Sequence, residues 1–111
     1  MLAACHILMR FPDADMPHPE IGCGITEVSA RRQGLAKEAV GLLVGYLFAG
    51  YTSERISAVT DAENGPAQRL LEALGFRREG VLRRASFRDG KWCDMVIYGL
   101  LRDEWQPQTG L

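Results

Sequence analysis

The sequence predicts a mixed α/β fold, and three observations lead to that prediction. Apolar segments of strand length alternate with two helix-like segments, turn residues separate these segments, and an Asp-Gly pair joins two long strand-like runs. A chain of 111 residues with 47% hydrophobic and 24% charged residues suits a single domain, 1–111. We divide it into an opening segment 1–19, a core 20–105 and a frayed tail 106–111.

The first half of the chain predicts two strands and a helix. A strand from Leu2 to Phe11 leads into a loop from Pro12 to Pro19, and a second strand runs from Glu20 to Glu27. A helix is expected from Leu35 to Ala49, and Gly50 ends it. Its polar side is expected to carry Lys37, Glu38 and Gly41, and its buried face Ala36, Ala39, Val40, Leu43, Tyr46 and Leu47.

The second half predicts a short strand, a second helix and a hairpin. The strand covers Arg55 to Thr60, with β-branched residues at alternate positions. The helix runs from Asn64, a favoured N-cap, to Leu74, and Gly75 follows it as a C-terminal glycine. Two long strands then fill Phe76–Leu101, and the Asp-Gly pair within Arg88–Lys91 predicts the turn between them.

The charge of the chain is nearly balanced but unevenly distributed. A formal net charge of −1 argues against a nucleic-acid partner, because domains that bind nucleic acid are usually clearly basic. Between Arg77 and Lys91, however, six cations accompany two anions, a net charge of +4. Two interpretations stay open for this stretch: a solvated strand face, or a contact with the phosphates of a cofactor.

The cysteines and the opening segment indicate the cellular compartment and whether a metal site is expected. The cysteines are odd in number and lack metal-ligand spacing, so we expect no metal site and reduced thiols in a cytoplasmic protein; they are Cys5, Cys23 and Cys93. The apolar opening Met1–Met9 is short and has no basic leader, so we expect neither a signal peptide nor a membrane partner.

A glycine-containing segment, Arg31–Ala36, lies between the second strand and the first helix. The first N–H groups of a helix lack partners within the helix, and the aligned peptide dipoles place partial positive charge there. Gly34 allows a phosphate to approach the backbone, and the small Ala36 does not block it. The segment therefore predicts an anion site, although a simple helix start would have the same residues.

Four motifs follow one another along the chain. They are the segment Arg31–Ala36, the helix capped by Asn64, its end at Leu74-Gly75-Phe76, and the Asp-Gly hairpin that closes on Asp94–Trp105. In this order they resemble the GCN5-related N-acetyltransferases (GNAT), and most closely the RimJ/RimL-type branch. The resembling region covers Glu20–Trp105. The resemblance implies a mixed, mostly antiparallel sheet flanked by helices.

The resemblance also implies acetyl-CoA as the cofactor and an amine of a protein N-terminus or small molecule as the acceptor. In the family, the pantetheine arm pairs with the strand that begins here at Glu20, where that strand splays from the one containing Ile56. A backbone N–H of the first strand holds the thioester carbonyl. By resemblance the cofactor-binding residues are Val28, Ser29, Arg31, Arg32, Gln33, Gly34, Leu35, Ala36 and Asn64.

The catalytic candidates are Glu20 and Tyr98, and each has a second interpretation. Glu20 stands where relatives often carry the residue that takes the amine proton through water, but it also suits a polar strand start. Tyr98 is the nearest candidate for a hydroxyl that protonates the leaving thiolate, although a tyrosine there is typical of packing. Asn64 is either an N-cap alone or an N-cap that also contacts the pantetheine or a catalytic water.

The chain departs from the family pattern in two places. Only nineteen residues precede Glu20, so the part that forms much of the acceptor-binding wall in relatives is shortened or missing. Relatives also place a serine three residues, or a tyrosine seven residues, after the asparagine, whereas Ala67 and Leu71 stand here and cannot donate a proton. The alternative function is therefore a truncated, non-catalytic CoA-binding or interaction module.

A sheet shortened in this way would leave apolar surface and a strand edge in water, which predicts a homodimer. The expected contact elements are the strand around Ile7 and the hairpin strand around Val96.

Overall fold

The structure is a computed structural model that describes residues 5–10, 18–25, 33–50 and 53–105. Within these ranges it contains five strands, two α-helices and a short 3₁₀-helix at Arg102–Glu104. The strands are β1 (Cys5–Arg10), β2 (Glu20–Ile25), β3 (Arg55–Asp61), β4 (Arg77–Arg88) and β5 (Lys91–Leu101). The helices are α1 (Gln33–Gly50) and α2 (Gly65–Ala73). The predicted order of elements is confirmed.

The strands form one sheet in the order β1-β2-β3-β5-β4. β2 and β3 are parallel, and the other three neighbouring pairs are antiparallel. The predicted mixed, mostly antiparallel sheet is therefore confirmed. β5 lies between β3 and β4, and Val96 on β5 is buried. The expectation that the strand around Val96 meets a partner is wrong, because both edges of β5 are already paired.

The core lies between one face of the sheet and the two helices. Alternate residues of β3 and β5, such as Ile56 and Tyr98, point to this face and are completely buried. From the helices, Val40, Val44 and Leu71 pack into the same cluster. This single apolar core fixes where the ends of both helices lie relative to the sheet.

Helix α1 begins at Gln33, two residues earlier than predicted, so Gly34 lies in its first turn rather than in the preceding loop. The predicted buried face is correct at Val40 and Leu47 but wrong at Ala39, which is exposed, and at Tyr46, whose exposed fraction is 65%. Val44 and Phe48 are buried in its place. Almost every residue from 42 to 48 is apolar, so the sequence allows more than one three- and four-residue stripe.

Helix α2 has both of its predicted ends. The side-chain oxygen of Asn64 accepts the N–H of Ala67 at 3.1 Å, which satisfies one of the first free donors of the helix. At the other end Gly75 has a φ of +100°, and the N–H of Phe76 donates to the carbonyl of Leu71 at 3.0 Å. This pattern is a Schellman motif, which turns the chain directly into β4.

The hairpin of β4 and β5 has the predicted turn and an unpredicted bulge. Asp89 and Gly90 both have positive φ angles, 55° and 78°, as a type I′ turn requires. In β4, the three residues Arg83–Ala85 lie opposite Asp94 alone, because Leu82 pairs with Met95 and Ser86 with Cys93. Bulges bend strands, so the hairpin changes direction at this level.

Candidate functional site

A gap opens between β2 and β3 at their carboxyl ends. The two strands are paired through three positions, the last being Gly22 opposite Val59. Beyond that point β2 continues to Ile25 paired with β1, and β3 continues to Asp61 paired with β5. Within the described residues the two strands do not pair with each other beyond this point. Such a parting suits the insertion of an extended ligand that adds to the edge of a strand, as peptides do when they add to a sheet.

The start of α2 lies at the same edge as this gap. The turn after β3 is fixed by the N–H of Asn64, which donates to the carbonyl of Asp61 at 2.9 Å. The carboxylate of Asp61 accepts the N–H of Glu63 at 2.8 Å, and the side chain of Gln68 donates to the carbonyl of Ala62 at 2.8 Å. These bonds set the position of the Asn64 cap relative to the end of β3.

The tip of the hairpin is held over this turn by two ion pairs. Arg88 contacts the buried carboxylate of Asp61 at 3.1 Å, and Lys91 contacts Glu63 at 3.1 Å. The hydrogen bond from Lys91 to Glu63 raises the pKa of the Lys91 ammonium. β5 continues beyond the end of β3, and the bulge at Arg83–Ala85 lies at the level where this extension begins. We name Arg88, Lys91, Asp61 and Glu63 the hairpin clamp.

We expect Arg88→Ala to weaken three- to tenfold the binding of a ligand that contacts the Asn64 cap, and to lower the free energy of unfolding. The substitution leaves the buried Asp61 carboxylate without its cation, which costs about 1–3 kcal/mol and loosens the turn that carries Asn64. Titration calorimetry and chemical unfolding measure the two effects. The matched control is Arg77→Ala, which loses only an ion pair with Glu104 from a side chain that is 76% exposed. Equal effects of the two variants would contradict the clamp.

Glu20 begins β2, on the face of the sheet away from the helices. Its Cα lies opposite Ser57, and the next residue, Ile21, points into the core. Glu20 therefore shares a face with Ser57 and Gly22 and precedes the gap by two residues, about 7 Å along the strand. The structure places the predicted base and the predicted gap beside each other.

An ion pair on the same face lies near Ser57. The guanidinium of Arg55 donates to Ser57 Oγ at 2.9 Å and to the carboxylate of Glu79 at 2.8 Å. These bonds hold the pKa of the Glu79 carboxyl below its ordinary value. Gly99 makes room for the pair, because a Cβ there would collide with both charged groups. The charge of Arg55 is consequently balanced by Glu79 within the sheet face.

Tyr98 lies on the opposite, helix-facing side of the sheet. Its ring is completely buried, and its hydroxyl donates to the carboxylate of Glu72 at 2.9 Å. Burial, reinforced by the bond to Glu72, raises the pKa of Tyr98 from 10.0 to about 12. A phenol held in this way is a weaker acid than an ordinary tyrosine, and the sheet separates it from Glu20. The geometry favours a packing role for Tyr98.

We expect Tyr98→Phe to lower the free energy of unfolding by about 1 kcal/mol near neutral pH and to leave turnover unchanged. A raised pKa means that the neutral phenol stabilises the fold below pH 10, and this stability is lost as the pH rises from 10 towards 12. The difference between wild type and Tyr98→Phe should therefore disappear over that interval. Unfolding curves between pH 8 and 12 measure it, with the exposed Tyr46→Phe as control. A large loss of kcat would restore Tyr98 as proton donor.

The two positions where relatives carry a hydroxyl are in the core of this chain. Ala67 and Leu71 on α2 are both completely buried. A tyrosine in place of Leu71 would overpack the space between α2 and the sheet, which typically costs about 1–3 kcal/mol. A hydroxyl cannot therefore be supplied at Leu71 without disturbing α2.

The remaining predicted cofactor residues are only partly within the described ranges. Val28, Ser29, Arg31 and Arg32 lie outside them. The backbone of Gln33–Ala36 forms the first turn of α1, which is where the sequence placed the anion site. Of the predicted site residues, the structure thus brings the start of β2 and the Asn64 cap to the gap, and it places Tyr98 elsewhere. The hairpin clamp was missed, because nothing in the sequence links Arg88 to Asp61.

The gap between β2 and β3 has the start of α2 at its edge, and α1 follows β2 in the chain. This arrangement suits an extended anionic cofactor. A family model described as an acetyltransferase (GNAT) domain matches residues 5–77. The chain is 31% identical over 80 residues to YokL, an uncharacterized N-acetyltransferase from the SPbeta prophage of Bacillus subtilis (strain 168), covering 72% of this chain and 45% of that protein. The chain therefore belongs to the GNAT acetyltransferase family.

Two further comparisons show how similar the fold is and how much of each relative the chain covers. The ribosomal protein uS5-alanine N-acetyltransferase of Escherichia coli (strain K12) is 32% identical over 75 residues, 68% of this chain and 39% of that protein. A crystal structure of a GNAT-family acetyltransferase from Bacillus anthracis matches with a TM-score of 0.74 at 29% identity, over 91% of this chain and 60% of that chain. The chain spans less than half the length of these curated relatives. None of the helices in the described ranges is long and apolar enough to cross a membrane.

Proposed function

We propose that the chain binds acetyl-CoA and transfers its acetyl group to a primary amine, as an N-acetyltransferase of RimJ/RimL type. The observation that carries the proposal is the parting of β2 and β3 after Gly22 and Val59, beside the Asn64-capped helix. The acceptor is an exposed amine, at a protein N-terminus or on a small molecule. The similarity to a ribosomal protein uS5-alanine N-acetyltransferase supports this class.

In the proposed complex, the pantetheine arm lies in the gap and pairs with β2, and its pyrophosphate meets the start of α1 at Gln33–Ala36. A backbone N–H around Val28 or Ser29 polarises the thioester carbonyl. Arg31 and Arg32 add charge near the phosphates, and Asn64 contacts the pantetheine or a water. Acetyl-CoA supplies the activated acyl group, so the chain itself needs to orient the amine and remove its proton.

Glu20 is the proposed base and takes the amine proton through a water molecule. The amine must be neutral to attack, and a carboxylate on the open side of the sheet near the gap can accept that proton. The departing thiolate needs no protein acid, because a thiol with a pKa of about 8.5 leaves without protonation at alkaline pH. Turnover should therefore be slow and should rise with pH.

The proposal is tested by incubating the purified chain with acetyl-CoA and a mixture of amines, and by following free CoA thiol and the mass of each amine. We expect thiol release that depends on the amine and an acetylated product. Thiol release that is the same without any amine, or no release at all, would overturn the proposed transfer.

A second candidate is a CoA-binding or interaction module without turnover. It is favoured by Ala67 and Leu71, which are buried at the two positions where the family resemblance leads us to expect a hydroxyl. Tight binding of acetyl-CoA without amine-dependent thiol release would support this module. The two candidates thus differ in turnover and agree in cofactor binding.

A homodimer in a cytoplasmic setting completes the proposal. β1 is the terminal strand of the described sheet, and the strand around Ile7 is its proposed contact element. β4 is the other terminal strand, but its bulge and arginines oppose edge-to-edge pairing. The free thiol of Cys93 is compatible with a reducing compartment. Light scattering that reports a monomer at micromolar concentration would overturn the dimer.

A further inference from the structure

A second recess lies at the bulge of β4, outside the gap between β2 and β3. It is a groove of about 750 Å³ lined by Val81, Leu82, Arg83, Arg84 and Asp94. This volume is within the range of about 300–1,000 Å³ that is common for ligand sites. The groove combines two apolar side chains, two guanidinium groups and the carboxylate of Asp94, which accepts the backbone N–H of Arg84. The two cations outnumber the single anion, so the groove suits an anionic group on a partly apolar chain.

The bulge holds its arginines in an unusual backbone conformation. Arg84 has a φ of 50°, in the left-handed region that residues with side chains seldom adopt. The carboxylate of Asp94 accepts the N–H of Arg84 at 2.8 Å and so fixes this conformation. Backbone strain that neighbouring groups hold in place is concentrated at binding and catalytic sites. The strained backbone of the bulge therefore marks it as a candidate binding site.

The guanidinium groups of the bulge are available for a ligand. Arg83 and Arg84 are both exposed, and no carboxylate in the described part of the chain forms an ion pair with either. Among the other cations of the hairpin, Arg77, Arg88 and Lys91 each contact a carboxylate. Arg78 is exposed and forms no ion pair within the described residues, but it does not line the groove. Guanidinium groups bind carboxylates with paired hydrogen bonds, so an acidic partner is the complementary one.

The groove is level with the gap. The N–H of Ala62, directly after β3, donates to the carbonyl of Asp94 at 2.9 Å, so the bulge and the end of β3 lie at the same height. β4 is two strand spacings from β3 and three from β2, or roughly 10–15 Å. An extended peptide rises about 3.3 Å per residue, so with its amine at the gap the fourth and fifth residues lie at the groove, and the third lies one residue short of it.

The cofactor phosphates would occupy a different place. They are proposed to meet the start of α1, which follows β2, and β2 is separated from β4 by β3 and β5. If the phosphates bind at the start of α1, they do not need Arg83 and Arg84, and the groove can bind the acceptor.

We propose that the groove at the β4 bulge binds acidic side chains of a peptide acceptor, so that the chain prefers amines followed by Asp or Glu at the fourth and fifth positions. The inference rests on the proposed function, because the amine is placed at the acetyl-CoA gap. Arg83 and Arg84 are the specificity-determining residues, and Val81 and Leu82 contact the apolar parts of the peptide.

The test measures binding rather than turnover. Two ten-residue peptides with a free N-terminus and a fluorescent label at the C-terminus differ only at positions four and five, which are glutamate in one and glutamine in the other. Fluorescence anisotropy gives their dissociation constants in the presence of saturating CoA. We expect the glutamate peptide to bind at least tenfold more tightly, and added salt to reduce the difference. Equal binding within twofold would overturn the proposal.

Three variants distinguish binding at the groove from non-specific attraction to the positive charge of β4. Arg83→Gln removes one cation, and Arg84→Asn removes the other while asparagine tolerates the left-handed backbone. Each should lower affinity for the glutamate peptide at least threefold and leave the glutamine peptide unaffected. Arg77→Gln, which removes one charge from the same strand away from the groove, should change neither. If Arg77→Gln weakens the glutamate peptide as much as Arg84→Asn does, the groove is not the site.

The two proposals fail in different ways. If amines are acetylated but both peptides bind equally, the groove assignment is wrong and the proposed function stands. If the glutamate peptide binds selectively and the arginine variants abolish that preference, but no amine is acetylated, the groove assignment stands and the proposed transfer is wrong.

Discussion

Replacing Glu20 with glutamine is expected to lower kcat by about 10²–10⁴-fold, the usual contribution of a general base. The amide cannot take the amine proton, yet it keeps the size and polarity of the side chain at the start of β2. The affinity for acetyl-CoA should stay within about twofold of wild type, because the proposed role of the carboxylate is to take the amine proton and not to bind the cofactor. Stopped assays of CoA thiol and calorimetry of acetyl-CoA binding measure the two quantities.

The control for this substitution is Glu38→Gln, which changes an exposed carboxylate on α1 in the same way. It should leave kcat unaffected. If Glu20→Gln acetylates amines as fast as wild type at every pH, Glu20 is a polar strand start and another group takes the proton.

Replacing Gly34 with valine is expected to weaken CoA binding at least tenfold, about 1.4 kcal/mol. Gly34 lies in the first turn of α1, where the backbone N–H groups are the proposed ligands of the pyrophosphate. A branched side chain there would keep the phosphate away from the backbone. Arg32→Ala should weaken binding less, since charge at the mouth adds to the backbone contacts without replacing them.

Gly50→Val is the matched control, because it adds the same side chain at the last residue of the same helix. A Cβ at Gly50 would meet no atom within 4 Å, so the substitution should fold normally and bind CoA as wild type does. Thermal unfolding of both variants separates a loss of binding from a loss of fold. Equal CoA affinity of wild type and Gly34→Val would refute the assignment of the loop.

Local signals in the sequence were sufficient for the ends of α2 and for the hairpin. Asn64 and Gly75 lie at the two ends of α2 because each satisfies or permits a particular backbone geometry there. The same holds for Asp89 and Gly90, whose positive φ angles make the type I′ turn. These residues determine the backbone geometry of their immediate neighbours, so the caps and the turn can be predicted from the local sequence alone.

The buried face of α1 could not be assigned in the same way. Leu42 and Tyr46 are exposed although they are apolar, while Val44 and Phe48 are buried. Which apolar stripe is buried depends on how the helix meets the sheet and α2, and not on the composition of α1. Periodicity identifies a helix face only when polar residues mark the other side.

Some features of the candidate site could likewise be predicted from the sequence, and others could not. The family resemblance predicted that the strand at Glu20 parts from the strand at Ile56, but only the structure places the parting after Gly22 and Val59. The position of Asn64 followed from its capping role. The side of the sheet on which Tyr98 lies depends on the register of β5 against β3, which a single sequence does not reveal. Contacts between residues far apart in the chain, such as Arg88 with Asp61, require the folded hairpin and its bulge.

The central claim is that acetyl-CoA occupies the gap between β2 and β3 with its phosphates at the start of α1. Amide hydrogen exchange, followed residue by residue by NMR with and without saturating acetyl-CoA, tests it most directly. We expect at least tenfold slower exchange at the gap-facing amides of Cys23–Ile25 and in the first turn Gln33–Ala36, and little change in the centre of β5. Unchanged exchange at both places, or protection confined to the β4 bulge, would contradict the claim.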